Sequence, residues 1–160
     1  MNDILNVAYN DGADYIVRVN DDTDFVTEGW TSMGVEALLS MDPPNIGVVG
    51  PDCPDGNTMI LTHDMVHRNH MDIFGGKYYP PVFKNWFLDD WISHVYGSER
   101  TRRLLLWQVR HHIEHHGTRY QPFGGEIILH ELEKELKMGK AALNEWLLRR
   151  KEVHKGGRIR

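Results

Sequence analysis

The stretch YIVRVNDDTD, residues 15–24, decides the fold prediction. Its first five residues have β-branched, aromatic or long side chains, and turn signals lie on both sides of them. This pattern is typical of a short strand buried in a mostly parallel sheet. Amide and acidic side chains follow at once, at the carboxyl end of that strand. Open α/β sheets bind ligands outside the carboxyl ends of their strands. We therefore expect an α/β fold whose functional site lies directly after residue 19.

The rest of the chain alternates helical and strand-like patterns around this stretch. The predicted elements, in chain order, are a helix over 4–9, a helix over 28–40, strands over 46–49 and 58–61, a helix from Thr62 to about His70, a helix from about Leu88, a strand over 104–111 and a long amphipathic helix over 125–150. A helix is the competing interpretation for 104–111. Gly139 is a weak point in the last helix, because glycine disfavours helix interiors.

Composition excludes several classes of protein. The 160 residues suit one domain, and 41% hydrophobic with 26% charged residues is typical of soluble globular proteins. A net charge of -5 gives no general attraction to nucleic acid. Cys53 is the one cysteine, so no intramolecular disulfide can form, and no apolar run is long enough to cross a membrane. We expect neither a nucleic-acid partner nor a membrane segment in this chain.

The acidic cluster after residue 19 has the side chains of a divalent-cation site. An extended backbone would direct Asn20, Asp22 and Asp24 to one side and Asp21 to the other, and such oxygen ligands suit Mg²⁺ or Mn²⁺. A calcium loop of the EF-hand type is excluded, because residue 25 is not the required glycine. The alternative is a strand-end turn, in which these side chains bond to nearby backbone amides.

Residues 15–22 resemble the strand and DxD-type motif of GT-A glycosyltransferases, the nucleotide-diphospho-sugar transferases related to family 2. The likeness extends over about residues 4–120 through the order and spacing of several segments. It implies a partial GT-A fold, with a mixed, mostly parallel sheet flanked by helices and a long C-terminal amphipathic helix. It also implies a catalytic half-domain over 1–122, beginning close to the DxD strand and lacking the family's nucleotide-base subdomain. Residues 123–153 would be the C-terminal helix of the same domain, and 154–160 a flexible basic tail.

On the donor side, the resemblance assigns roles to the acidic cluster and to one histidine. Asp22 would hold Mn²⁺ or Mg²⁺, with Asp24, Asp21 and His111 as further candidate ligands. Asn20, Asp21 and Asp22 would contact the nucleotide-sugar donor. The alternative for His111 is a semi-buried, hydrogen-bonded histidine.

On the acceptor side, the resemblance singles out the segment around residues 86–91. Asp90 would be the catalytic base of an inverting enzyme, with Asp89 as the second candidate. Trp86, Trp91 and Tyr79 would line a groove for a carbohydrate or other hydroxyl acceptor, because sugars stack on aromatic faces. The alternative for both acids is that they only complement the dipole in the first turn of a helix.

The sequence thus predicts a metal-dependent, inverting glycosyltransferase that uses a nucleotide-diphospho-sugar donor. A non-catalytic α/β module that binds a glycan or a protein is the alternative, and a histidine-rich metallohydrolase is a third interpretation. His63 and His67 have helical i, i+4 spacing, but the His-Glu-x-x-His pattern of helical zinc sites is absent.

Overall fold

The computed structural model describes residues 2–112 and 125–156. Across these residues the chain forms five helices and five strands. The helices are α1 (Asn2–Asn10), α2 (Trp30–Leu39), α3 (Asn69–Ile73), α4 (Leu88–Val95) and α5 (Gly125–Gly156), and the strands are β1 (Tyr15–Arg18), β2 (Thr23–Phe25), β3 (Val48–Asp52), β4 (Asp64–His67) and β5 (Thr101–His111). The predicted α/β class is confirmed.

The five strands form one curled sheet in the order β1-β4-β3-β5-β2. Only β3 and β5 are parallel, whereas β1 with β4, β3 with β4 and β2 with β5 are antiparallel. The sheet is mixed, as expected, but the prediction that it is mostly parallel is wrong. The reason is that β4 lies between β1 and β3 and runs against both, after a loop that contains no crossover helix.

The largest error of the sequence prediction falls on residues 58–70. The expected strand over 58–61 and the expected helix from Thr62 to His70 are both absent from the structure. The chain instead forms strand β4 and then the short helix α3. Pairing on both edges of β4 holds these residues extended, and its one acidic side chain, Asp64, is buried with partners described below.

Side chains that alternate along the strands pack into two hydrophobic cores, one on each face of the sheet. Ile16, Val48 and Val66 pack with α1, α3, α4 and α5, whereas their neighbours Met65 and Val49 pack with α2. This alternation follows from the two-residue period of a strand. Because Arg18 shares the parity of Ile16, β1 directs that charged side chain toward α4.

The long C-terminal helix is confirmed. Leu132, Leu136 and Leu147 pack against the core, and Leu143 is buried in it. Gly139 lies where α5 crosses α4: a Cβ there would be 2.6 Å from Cγ2 of Val95, so the small residue permits a close approach of the two helices. Of the predicted basic tail, residues 154–156 belong to α5 and 157–160 lie outside the described residues.

Helix α4 begins at an unusual backbone conformation. Phe87, directly before Leu88, has φ of 67°, in the left-handed region that bulky side chains rarely adopt. The turn places Asp89 and Asp90 in the first turn of α4, as the sequence predicted.

Among the described helices, none combines the length and apolar character needed to span a membrane.

Candidate functional site

The chain turns back immediately after β1, and this turn builds the candidate site. Residues 21 and 22 form the turn, after which β2 pairs with the end of β5, with Thr23 opposite His111. The amide of His112 donates a hydrogen bond to the carbonyl oxygen of Asp22 at 2.9 Å. The acidic segment after β1 is thereby fixed against the last residues of β5.

Asp22 and His111 meet at this junction. Oδ1 of Asp22 lies 2.8 Å from Nε2 of His111, and the two side chains are 19% and 15% exposed. Nδ2 of Asn20 lies 3.2 Å from the same ring nitrogen. Asn20 and Asp22, two positions apart, and the distant His111 were all predicted for the donor side, and they converge on one point that solvent can reach.

The hydrogen bonds around the His111 ring cannot all be satisfied. Nε2 cannot donate a proton to Asp22 and also accept one from the Asn20 amide. Nδ1 is buried and has no hydrogen-bond partner within the described part of the chain. Either neutral tautomer therefore leaves one ring contact unfulfilled, and a polar group in that condition requires a physical explanation.

The separation of the Asp22 oxygen and the His111 nitrogen suits either a direct hydrogen bond or a shared divalent cation. Two ligand atoms that bind Mg²⁺ at right angles, each at about 2.1 Å, are separated by about 3 Å, close to the observed 2.8 Å. Carboxylate oxygen suits Mg²⁺ and Mn²⁺, and imidazole nitrogen is a common ligand of first-row transition-metal ions. The described residues contain no group of three or more histidine, cysteine or acidic side chains arranged to hold a metal. A cation held by this pair would complete its coordination with water or with substrate phosphates, as Mg²⁺ usually does.

The two other acids of the cluster lie apart from this pair. Oδ2 of Asp24 is 2.7 Å from Nε2 of His112, and the Asp24 side chain is largely exposed. Asp21 is exposed in the turn itself. Because residues 21 and 22 form a turn, the backbone is not extended through the cluster, and Asp24 faces His112 while Asp22 faces His111.

Arg18 lies beneath the turn, and its buried guanidinium contacts several groups of the site. Nε donates to Oδ2 of Asp64 at 3.0 Å and to the hydroxyl of Tyr79 at 2.9 Å. Nη1 donates to Oδ1 of Asn20 at 3.2 Å, and Nη2 pairs with Oδ1 of Asp89. These contacts of Arg18, Tyr79 and Asp89 were not predicted from the sequence, because their partners are far apart along the chain.

The two acids of α4 have different surroundings. Burial raises the pKa of the Asp89 carboxyl, an effect that the nearby Arg18 guanidinium opposes. Asp90 is half-buried and, within residues 2–112 and 125–156, forms no hydrogen bond or ion pair. Of the two candidate bases, Asp90 is therefore the one whose oxygens remain available to a ligand.

The three aromatic residues predicted for the acceptor side also differ. Trp91 and Tyr79 are 2% and 1% exposed and belong to the core, where Nε1 of Trp91 donates to the carbonyl oxygen of Glu135 at 3.2 Å. Trp86 is 37% exposed. Of these three residues, Trp86 is the exposed one that a sugar could contact.

His63, which the sequence predicted to lie in a helix, is a neighbour of the site. Its Nε2 is 2.7 Å from Oγ1 of Thr23 and its Nδ1 is 3.1 Å from Oγ1 of Thr62, while its ring lies edge-on to that of His111 at 5.4 Å. Burial lowers the pKa of His63 to about 4, so it is neutral near pH 7. No local pattern distinguishes such a histidine, because its partners come from β2 and from the approach to β4.

Neutral, buried histidines predict a loss of stability in acid. Burial lowers the pKa of both His63 and His70 to about 4. An unfolded histidine has a pKa of about 6.5, so below that pH the unfolded state binds more protons, and folding stability falls until about pH 4. We expect each histidine to lower the free energy of unfolding by about 1 kcal/mol between pH 7 and pH 5.5.

Urea unfolding at the two pH values would measure this loss. His63→Gln should reduce the pH-dependent loss by about 1 kcal/mol. An identical pH dependence in wild type and His63→Gln would show that His63 is not held neutral by the fold.

The described geometry therefore brings Asn20, Asp22 and His111 together and leaves Asp90 and Trp86 accessible. Comparison of the chain with protein-family models, with curated proteins and with solved structures found no match.

Proposed function

We propose that the chain carries the metal and acceptor side of a glycosyltransferase that moves a sugar from a nucleotide-diphospho-sugar to an acceptor hydroxyl, with inversion. The observation that carries the proposal is the Asp22 and His111 pair, with Oδ1 and Nε2 2.8 Å apart. Asp22 follows β1 and His111 is the last residue of β5, so both lie at the carboxyl ends of strands, where α/β folds bind ligands. The likeness of residues 15–22 to the DxD motif of GT-A enzymes supports the same assignment.

On the donor side, Asp22 and His111 would hold Mn²⁺ or Mg²⁺ against the diphosphate. Bound there, the cation would neutralise charge that develops on the departing diphosphate. Asn20 is oriented by Arg18, through the bond from Nη1 to Oδ1, so its amide hydrogens face the His111 side of the turn. These amide hydrogens can donate to a phosphate oxygen.

On the acceptor side, Asp90 would accept the proton of the attacking hydroxyl. The acceptor oxygen forms a bond to the anomeric carbon, the bond from that carbon to the diphosphate oxygen breaks, and the electron pair leaves with the nucleoside diphosphate. Attack from the face opposite the diphosphate inverts the anomeric configuration. A positioned carboxylate contributes roughly 10²- to 10⁴-fold to the rate of such a step. Trp86, which is exposed on the same segment, would stack against an acceptor sugar.

A second candidate function is a non-catalytic module that binds a glycan or a protein. It is favoured by the partners that the acids already have, His111 for Asp22, His112 for Asp24 and Arg18 for Asp89, because acids with such partners are explained by structure alone. Under this function Trp86 would still bind a sugar, but the Asp22 and His111 pair would have no ligand.

Metal-dependent binding of a nucleoside diphosphate separates the two functions. We expect uridine or guanosine diphosphate to bind the chain at least about tenfold more tightly with Mn²⁺ than with EDTA, because the cation would bridge the diphosphate and the protein. Calorimetric titrations under both conditions would measure the difference, with the corresponding nucleoside as the control ligand without phosphates. Glycan binding that is indifferent to EDTA, together with no diphosphate binding in Mn²⁺, would favour the non-catalytic module.

A further inference from the structure

A single side chain, Arg18, joins the metal side of the proposed site to its acceptor side. Its Nη1 holds Oδ1 of Asn20 at 3.2 Å, and Nδ2 of Asn20 lies 3.2 Å from Nε2 of His111. Its Nη2 pairs with Asp89 in the first turn of α4. A continuous chain of contacts therefore runs from His111 through Asn20 and Arg18 to Asp89, the residue next to the candidate base.

The guanidinium is anchored so that it cannot move without its partners. Arg18 is buried, and its Nε and Nη2 both lie 3.0 Å from Oδ2 of Asp64. Asp64 is itself fully buried and accepts hydrogen bonds from the hydroxyls of Tyr78 at 2.6 Å and Tyr79 at 2.7 Å. Nη1 also donates to the carbonyl oxygen of Thr62 at 2.8 Å.

This anchoring fixes the geometry of the two outer contacts. A planar guanidinium presents its donors in a rigid fork, so the directions toward Asn20 and toward Asp89 are set together. If Asp89 is removed, the guanidinium keeps its contacts with Asp64 and Thr62 but loses the carboxylate that holds Nη2 on the α4 side, so the direction of Nη1 toward Asn20 changes. The amide of Asn20 would then no longer be held beside His111.

We propose that Arg18 is a positioning residue that couples the metal pair, Asp22 and His111, to the acidic turn of α4. The inference rests on the proposed function, because it takes that pair as the metal site. Arg18 acts through Asn20 on one side and through Asp89 on the other. It follows that a change at Asp89, outside the metal pair, alters the affinity of the protein for a divalent cation.

Alanine substitutions at the two adjacent acids provide the test. Asp89→Ala and Asp90→Ala each remove one carboxylate from the same helical turn, and of the two only Asp89 contacts Arg18. Both variants remove one negative charge, but Asp89→Ala also takes a carboxylate partner from the Arg18 guanidinium. We expect Asp89→Ala to weaken Mn²⁺ binding by about 3- to 10-fold and Asp90→Ala by less than about twofold, in line with the coupling carried by side-chain networks. The electron paramagnetic resonance signal of free Mn²⁺ measures both affinities with the metal alone.

Two further variants complete the experiment. Asp89→Glu keeps a carboxylate for Arg18 and should recover at least part of the lost affinity. Arg18→Lys keeps the charge but loses the fork, so it should weaken Mn²⁺ binding at least as much as Asp89→Ala. Circular dichroism would show whether each variant is folded, and the two alanine variants decide the question even if Arg18→Lys is not.

The possible outcomes separate this inference from the proposed function. Equal Mn²⁺ affinities for Asp89→Ala and Asp90→Ala would overturn the coupling. If Asp22→Ala nevertheless lost Mn²⁺ binding, the assignment of the metal site would still be supported. Failure of the wild-type chain to bind Mn²⁺ would overturn both. A selective loss in Asp89→Ala, with recovery in Asp89→Glu, would establish the positioning role.

Discussion

Asp22→Ala is expected to weaken Mn²⁺ binding by at least about 100-fold. Residues that only orient metal ligands cost about 10- to 100-fold when replaced, and Asp22 supplies the carboxylate of the proposed pair. Its loss would leave His111 as the one protein ligand from that pair. Titration of Mn²⁺ followed by calorimetry or by electron paramagnetic resonance would measure the change.

The matched control for this substitution is Asp24→Ala, two residues along the same segment. It removes the same charge, but Asp24 faces His112 and is largely exposed. We expect its Mn²⁺ affinity to stay within a few-fold of wild type, because exposed charges interact weakly in water. Unchanged affinity in Asp22→Ala would place the cation elsewhere, and an equal loss in both variants would make Asp24 a ligand as well.

Asp90→Asn is expected to lower turnover by about 100-fold or more while metal and donor binding stay nearly intact. A general base acts mainly in the transition state, so its loss affects kcat rather than ground-state binding. Asparagine keeps the size of the side chain and the helical position but cannot accept the proton. Turnover with a nucleotide-sugar donor, together with Mn²⁺ affinity, would separate this effect from that of Asp22→Asn, which should weaken both.

Asp89, the neighbouring acid, provides the comparison for the proposed base, Asp90. Asp89→Asn should reduce turnover less than Asp90→Asn, because Asp89 already pairs with Arg18. Wild-type turnover in both variants would make the acidic pair structural. A product that retains the anomeric configuration of the donor would exclude the simple inverting mechanism, whatever the variants show.

The elements that could be predicted from the sequence are those whose signals are local. The apolar run of β1, the helical spacing of α2 and α5, and the alternation in β5 each depend on side chains within one segment. Strand β4 could not be predicted in this way. Its Asp64 is buried because Arg18, Tyr78 and Tyr79 surround it, and those partners lie on β1 and on the loop before α4.

The same distinction applies to the candidate site. Acidic residues after a strand drew attention to Asp22, and the GT-A resemblance singled out His111, which lies 2.8 Å from it in the structure. Burial of Trp91 and Tyr79 could not be predicted, because aromatic side chains serve a core and a sugar-binding surface equally well. The bond from Arg18 to Asp89 joins residues 71 positions apart, and no local pattern reveals it.

The long sequence separations within the site have a consequence for how the chain folds. The contact between Asn20 and His111 spans 91 residues, whereas the hydrogen bonds of α5 are local. Closing a long loop costs chain entropy before the contact it permits can stabilise anything, so distant pairings form slowly. The ligand pair requires β2 to have joined the end of β5, which in turn requires β5 to have docked beside β3. During synthesis, the nascent chain can therefore bring Asp22 to His111 only after residue 111 has emerged from the ribosome, when the residues of all five strands have been made.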